Sequence, residues 1–418
     1  MNPKTRFQSL PADLQHNLIV NVLDGGFFGL AIGLASFVTV IPLFVSTLTD
    51  SALLIGLVGT VHTLGWQLPQ IFTARRVARL PRFKPAVMFL TIHECLPFLL
   101  LAVLAWQVHR LSKQAALVLT FLLLIWQGIG GGVTAVAWQS MIGHIIPARR
   151  RGVFFGTQAA AASLLLSGGA VIAGQVLERG EHQRGFVWCF GLAGVMMMVS
   201  YLMLGLTREE ARAVPPETSA PLSLVGQSIL ILRTDRSFGK FLLVRSLLPF
   251  GLVGLNFYAV YAATQLQASD TLLGWMTAAF ALIQVVTNPL MGWLGDKVGY
   301  TRALGIGTLC AAGSAGFAWL APSAIWLFPA YALAGFANAA AWPLILAMTL
   351  TYGSPAEQQT YIGLANTLIA PATLLASLIG GEMANLWGYP VTFAAALVCS
   401  LAVLPMLPGL DTAGQSER

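Results

Sequence analysis

The sequence predicts an all-α polytopic membrane protein, with twelve transmembrane helices in two pseudo-symmetric six-helix bundles. Three observations predict it. Hydrophobic residues make up 56% of the chain and charged residues only 9%, whereas a water-facing domain ordinarily carries about 25% charged residues. Apolar runs of the roughly 20 residues needed to cross a bilayer recur from end to end. Residues of the first half also reappear, in order, in the second.

The runs lie near 17–45, 51–74, 85–108, 114–143, 152–177 and 186–206, then 238–265, 271–294, 301–320, 324–350, 359–382 and 388–408; they are called spans 1 to 12 below. Glycine and proline interrupt many of them, which membrane helices tolerate because neighbouring helices satisfy the freed backbone groups. Span 1 carries Asn17, Asn21 and Asp24 near one face, and a ladder of Gly25, Gly29 and Gly33 that permits close helix packing. Span 2 contains His62 and ends in "FTARRVARLPR". Span 3 reads "LTIHECLPF", which places Glu94 about 15 Å past the loop at 1.5 Å per residue, near the midplane. Span 4 offers Thr134 and Trp138 one turn apart. Span 7 holds Arg245, Asn256, Phe257, Tyr258 and Tyr261, and span 10 holds Asn338 and Trp342.

Between spans 6 and 7 lies the longest polar stretch, Thr207–Ser237. Its "VPPETSAP" breaks the chain, and its "LSLVGQSILILRTDR" could form an amphipathic helix on the membrane surface. The organisation is therefore a bundle at 1–206, a linker at 207–237 and a bundle at 238–418.

The net charge of +7 points to orientation rather than to nucleic acid. With a cytoplasmic N-terminus, the inner segments hold Arg75, Arg76, Arg79, Arg82, Lys84, Arg149, Arg150 and Arg151 among others. The outer loops hold only Arg110, Lys113, Arg179 and Arg184. Such a bias follows the positive-inside rule and puts both termini in the cytoplasm. Cys95, Cys189, Cys310 and Cys399 fall in separate apolar runs, which argues against a disulfide framework or zinc site. The polar first sixteen residues lack a signal-peptide core, so span 1 is expected to act as the insertion signal. No phosphate-binding, zinc-protease or nucleophile-elbow motif is present, so neither an ATP-driven pump nor a membrane hydrolase has visible chemistry.

The repeat is read from ordered matches. A shift of 220 lays Pro69 on Pro289 and Arg82 on Arg302; a shift of 222 lays Phe28-Gly29-Leu30 on Phe250-Gly251-Leu252. A shift of 204 lays Trp138 on Trp342, and one of 207 lays Gly156 on Gly363. Loop-length changes account for the drift.

Twelve spans, a central linker and "GWLGDKVGYTR" at Gly292–Arg302 together resemble the major facilitator superfamily of secondary transporters. Gly292, Gly295, Asp296, Lys297, Gly299 and Arg302 match that family's signature between spans 8 and 9. "PARRRGVFFG" resembles its loop between spans 4 and 5. The resemblance implies a conformational latch at those six residues. Asp296, near the N-terminal end of the following helix, could grip basic residues or the N-terminus of span 11; alternatively it only balances Lys297 in a solvated loop. The first-half loop departs from the pattern, since Arg76 stands in the place of Asp296 and no acid remains among residues 75–84. A carboxylate latch cannot operate there, and the loop reads as an anchor to lipid headgroups. Span 5 also lacks the proline of the family's drug/proton antiporters.

The family's cavity is lined by spans 1, 4, 7 and 10, so the resemblance makes Asn21, Asp24, Phe28, Thr134, Trp138, Arg245, Asn256, Tyr258, Asn338 and Trp342 solute-binding candidates. Asp24 and Arg245, at neighbouring repeat positions, could meet at an inner gate; otherwise Arg245 snorkels and Asp24 bonds locally to Asn21. Asp24 and Glu94 are the proton-coupling candidates, because ionisable groups inside a membrane are functional by default; a structural carboxyl is the alternative for Glu94. The expected activity is carriage of a small amphipathic or weakly charged solute by alternating access, either coupled to protons or as uniport. A lipid or lysolipid flippase and a non-transporting sensor or scaffold are the rivals. The expected setting is the bacterial inner membrane, as a monomer contacting lipid, solute and protons. No nucleic acid, metal or cofactor is expected.

Overall fold

The computed structural model describes residues 10–37, 39–49, 51–179, 182–213, 224–268, 270–354, 357–408 and 410. The described residues form helices and no strand, and twelve spans can be traced. Eight are single helices: Lys84–Gln107, Lys113–Ile145, Arg151–Arg179, His182–Gly205, Asp270–Val298, Tyr300–Trp319, Leu327–Thr349 and Tyr389–Val403. Helix Leu224–Thr234 lies within the linker.

Four apolar runs are each split into two helices. Span 1 is Ala12–Leu34 and Val40–Ser46; span 2 is Ala52–Gln67 and Gln70–Ala78. Span 7 is Arg236–Leu252 and Leu255–Thr264; span 11 is Gln358–Thr367 and Ala370–Trp387. Hydropathy could not show the breaks, because the broken turns remain apolar. Proline marks two of them: Pro69 is the residue before the second helix of span 2, and Pro371 sits in the first turn of the second helix of span 11. Proline suits both places, since a first-turn residue needs no N–H donor.

The chain divides into two compact units. The first comprises Met1–Ala148, Ala161–Glu217 and Pro355–Thr367; the second comprises Arg149–Ala160, Thr218–Ser354 and Leu368–Arg418. Spans 5 and 11 therefore each belong to both. The first unit is built around a ring cluster in which Phe44 meets Phe186 edge-on at 5.2 Å and Phe190 at 5.4 Å. Gly29 and Gly33 are the members of the span 1 ladder at which an added Cβ would strike the backbone of span 5, at Ala162 and Leu166. In the second unit, Tyr258 packs edge-on against Phe393 at 5.2 Å and Tyr331 at 5.6 Å. Outside these cores, Leu164, Trp188, Leu282 and Val398 are more than half exposed. Large apolar side chains on the outside are stable when the surrounding solvent is lipid.

Candidate functional site

Two buried carboxyls lie inside the first unit. Asp24, on the long helix of span 1, accepts a hydrogen bond from the Ser200 hydroxyl of span 6 at 2.6 Å. Glu94, on span 3, is also buried and turns towards span 4, where Gly131 leaves it room. A Cβ at position 131 would lie 2.8 Å from the Glu94 Oε1. Both acids belong to the same compact unit. Span 6 runs beside both: Cys95 directs its Sγ to the Met197 carbonyl at 3.8 Å, one turn before Ser200. A charge held in so dry a place is costly unless hydrogen-bonded or neutralised, so these acids are the chemically loaded groups of the unit.

The chain leaving span 6 is laced to the first turns of span 1. Asn17 and Arg208 exchange two bonds, the Asn17 amide donating to the Arg208 carbonyl and the Arg208 N–H to the Asn17 Oδ1, both at 2.8 Å. Asn21 donates to the Asn17 carbonyl at 2.8 Å and to the Thr207 Oγ1 at 3.0 Å. Asn21 is thus engaged by the strap and by its own helix, and Asp24 by Ser200 instead of Asn21.

In the second unit the signature stretch forms a clasp. Asp296 lies in the last turn of helix Asp270–Val298, not at the start of the next helix. Its Oδ1 accepts the Gly152 N–H at 2.9 Å and its Oδ2 the Val153 N–H at 2.8 Å. These N–H groups belong to the first turn of helix Arg151–Arg179, where no carbonyl of that helix can receive them. The carboxylate is therefore an N-cap supplied from another span, reinforced by the helix dipole. The gripped end is that of span 5, where the sequence reading named span 11. Tyr300 adds a hydroxyl donor to Asp296 Oδ1 at 2.7 Å.

Glycine makes the approach possible. A Cβ on Gly292 would lie 2.0 Å from the Gly152 carbonyl oxygen, and one on Gly156 2.3 Å from the Asn288 carbonyl oxygen. The backbones touch, which places the carboxylate against the helix end. Gly299 has φ +100°, a conformation that favours glycine, and it ends span 8 abruptly enough for span 9 to turn back. Lys297 lies over the Trp293 ring at 4.7 Å, while Arg302 is exposed.

In the first unit, spans 2 and 11 are held together by amides at other positions. Asn366, in the last turns of helix Gln358–Thr367, donates to Gln70 Oε1 at 2.6 Å and to Gln139 Oε1 at 3.4 Å. Thr367 Oγ1 donates to the Gln67 carbonyl at 3.0 Å and accepts from the Ile71 N–H at 3.2 Å. Arg76, which stands where Asp296 stands in the repeat, is exposed.

The remaining candidates fall in both units. Thr134 is buried and its hydroxyl donates to the Gly130 carbonyl of its own helix at 2.8 Å; Trp138 is half-buried. Phe28 is half-buried against the first unit's core. Arg245 is buried in the second unit, and Asn256 is exposed. Tyr258 belongs to the second unit's core, its hydroxyl paired with Ser314 at 2.9 Å. Asn338 donates to Gln284 at 2.8 Å on an exposed surface, one turn from the half-exposed Trp342. Sequence reasoning missed Ser200, Gln70, Gln139 and Asn366. Their signal is a polar side chain in an apolar run, but nothing in the chain says which of them meet.

Buried acids, split helices and helix ends capped from distant spans, all within an apolar exterior, define an integral multi-pass membrane protein of the carrier type. The family model of the Major Facilitator Superfamily matches residues 23–261 and 241–415, and the chain belongs to that superfamily. That superfamily consists of transporters rather than enzymes. Among solved structures, the human organic anion transporter MFSD10 (TETRAN) is similar at TM-score 0.73 and 16% identity, with 95% of this chain and 100% of that one covered. The E. coli fucose:proton symporter FucP is similar at TM-score 0.75 and 12% identity, with 94% and 98% covered. A curated relative, the vesicular acetylcholine transporter unc-17 of Caenorhabditis elegans, is 30% identical over 155 residues, 35% of this chain. The chain spans 29% of that relative's length.

Proposed function

We propose that the protein carries a small amphipathic or weakly charged solute across the bacterial inner membrane by alternating access, with proton movement through Asp24 and Glu94 as the drive. The observation that carries this reading is the pair of buried acids on spans 1 and 3, both of which pack against span 6 in one unit. Acids so placed can take up or release a proton as the surrounding helices wet and dry, and their state would bias which arrangement is stable.

The clasps supply the other half of the mechanism. The first turns of span 5 rest in the second unit and the first part of span 11 rests in the first. Alternating access would part each from its host. Asp296 then acts as the catch on span 5, and the Gln70–Gln139–Asn366 amides as the catch on span 11. The solute class is inferred from sparse charge: Arg245 is the sole basic candidate, while Trp138, Asn338 and Trp342 offer indole and amide contacts. Phe28, Thr134 and Asn256 remain proposed contributors to the cavity, whereas Asn21 and Tyr258 are already engaged by Thr207 and Ser314. The curated relative carries acetylcholine, itself a small amphipathic solute of single charge. The bias of arginine and lysine supports cytoplasmic termini.

A thermal-shift screen of a solute library at two pH values identifies a ligand, and flux of that ligand into proteoliposomes tests the proposal. Uptake should rise with an imposed pH gradient and lose that dependence in Glu94→Gln. Flux indifferent to the gradient would leave a uniporter and remove the acids from the drive.

A further inference from the structure

We propose that the basic loop joining spans 2 and 3 is a binding site for the headgroup of an anionic phospholipid. The helix entering it, Gln70–Ala78, has two unlike faces. Gln70, Ala74 and Val77 are buried, and Gly363 of span 11 packs against Ile71 and Ala74. The opposite face carries Phe72, 68% exposed, followed by Arg76 and then Arg79 in the loop, both exposed, with Arg75 half-buried beside them. Three- and four-residue spacing puts these on one side. Ring first and guanidinium a turn later is the order in which acyl chain and headgroup meet a helix leaving a bilayer. Phe89, in the helix that leaves the loop, is likewise 69% exposed.

The loop is braced from behind. Glu209 accepts the Phe83 N–H at 2.9 Å on one oxygen and the Lys84 N–H at 2.7 Å on the other, capping span 3. Arg212 donates to the carbonyls of Leu80 and Ala78, receives the Pro81 carbonyl on its backbone N–H at 2.9 Å, and covers the Phe83 ring at 4.6 Å. The acid next to the cluster is thus committed to backbone N–H groups, and the loop is fixed in shape. Arg76, Arg79 and Arg82 stand exposed on it. A phosphodiester complements them, and the exposed Phe72 ring on the same helix face favours a lipid over a free ion. Each Lys or Arg near an anionic bilayer strengthens attraction about fivefold.

The test uses the full-length protein in detergent, titrated with phosphatidylglycerol or phosphatidylcholine and read by native mass spectrometry. Wild type should retain phosphatidylglycerol at least about tenfold better, and the triple variant Arg76→Gln, Arg79→Gln, Arg82→Gln should lose that preference. If the triple variant does not fold, single Arg76→Gln and Arg79→Gln, at exposed positions, repeat the measurement with a several-fold loss expected each. Glu209→Gln discriminates a shaped site from bulk charge. It makes the protein more positive yet loosens the brace, so retention should fall. Equal retention of the two lipids, an unaffected triple variant or tighter binding in Glu209→Gln would each overturn the proposal. Displacement by millimolar inorganic phosphate would do so too, by revealing a phosphate site rather than a lipid site.

Discussion

Asp296 caps the helix that begins beside Gly152, reaching across 144 positions of chain to accept its N–H at 2.9 Å. Neither residue would suffice alone. The carboxylate needs a helix end with orphan donors, and the donors need a neighbour without a side chain in the way.

Asp296→Asn removes the charge and keeps one acceptor. Loss of a charged cap costs about 1 kcal/mol, or roughly fivefold in the equilibrium between clasped and released states. Maleimide labelling of Val153→Cys should therefore speed up about fivefold in Asp296→Asn. Unchanged labelling would reduce the cap to local structure.

Gly152→Ala tests the close approach. Its Cβ would lie 2.4 Å from the Gly292 carbonyl oxygen, so the helices must separate. Transport should fall more than in Asp296→Asn, because the whole contact is displaced and not only its charge. Wild-type flux would show that the contact is dispensable.

Asp24→Asn preserves an acceptor for Ser200 and removes the titratable group; Glu94→Gln does the same for Glu94. Each should reach the membrane at wild-type levels and lose at least about tenfold of gradient-driven flux, if protonation contributes what a coupling site typically does. Undiminished gradient-driven uptake in both would assign them structural roles.

Gln70→Leu breaks the amide catch in the first unit. It removes the 2.6 Å acceptor of the buried Asn366 amide, at a cost of about 1–3 kcal/mol. A lower thermal midpoint should accompany faster labelling of cysteines introduced at the start of span 11. Faster labelling without loss of stability would contradict a buried amide contact.

Tyr258→Phe separates core from cavity. Ser314 keeps its bond to the Ala330 carbonyl at 2.7 Å, so the expected loss is about 1 kcal/mol of stability with KM unchanged. A raised KM with normal stability would return Tyr258 to the solute.

The spans, the repeat and the family signature were legible because bilayer thickness and glycine spacing write themselves into a single chain. Asp296 stood out as an acid among glycines, yet its partner did not, since backbone N–H groups carry no sequence signature. Tyr258 and Asn21 show a second limit. Asn21 shares a helix face with Asn17 and Asp24, and Tyr258 lies in span 7, but only packing decides whether Thr207 or Ser314 reaches them before a solute does. The Asn366–Gln70 contact joins residues 296 positions apart, a distance no local pattern spans.

The most direct measurement is a pulsed electron-spin distance between labels at Arg149 and Val298, exposed positions flanking the Asp296 cap. Two populations are expected, one short and one long, with the long one enlarged in Asp296→Asn and exchanged with the short one when solute and pH are varied. A single short distance in every condition under which the protein transports would contradict alternating release of span 5.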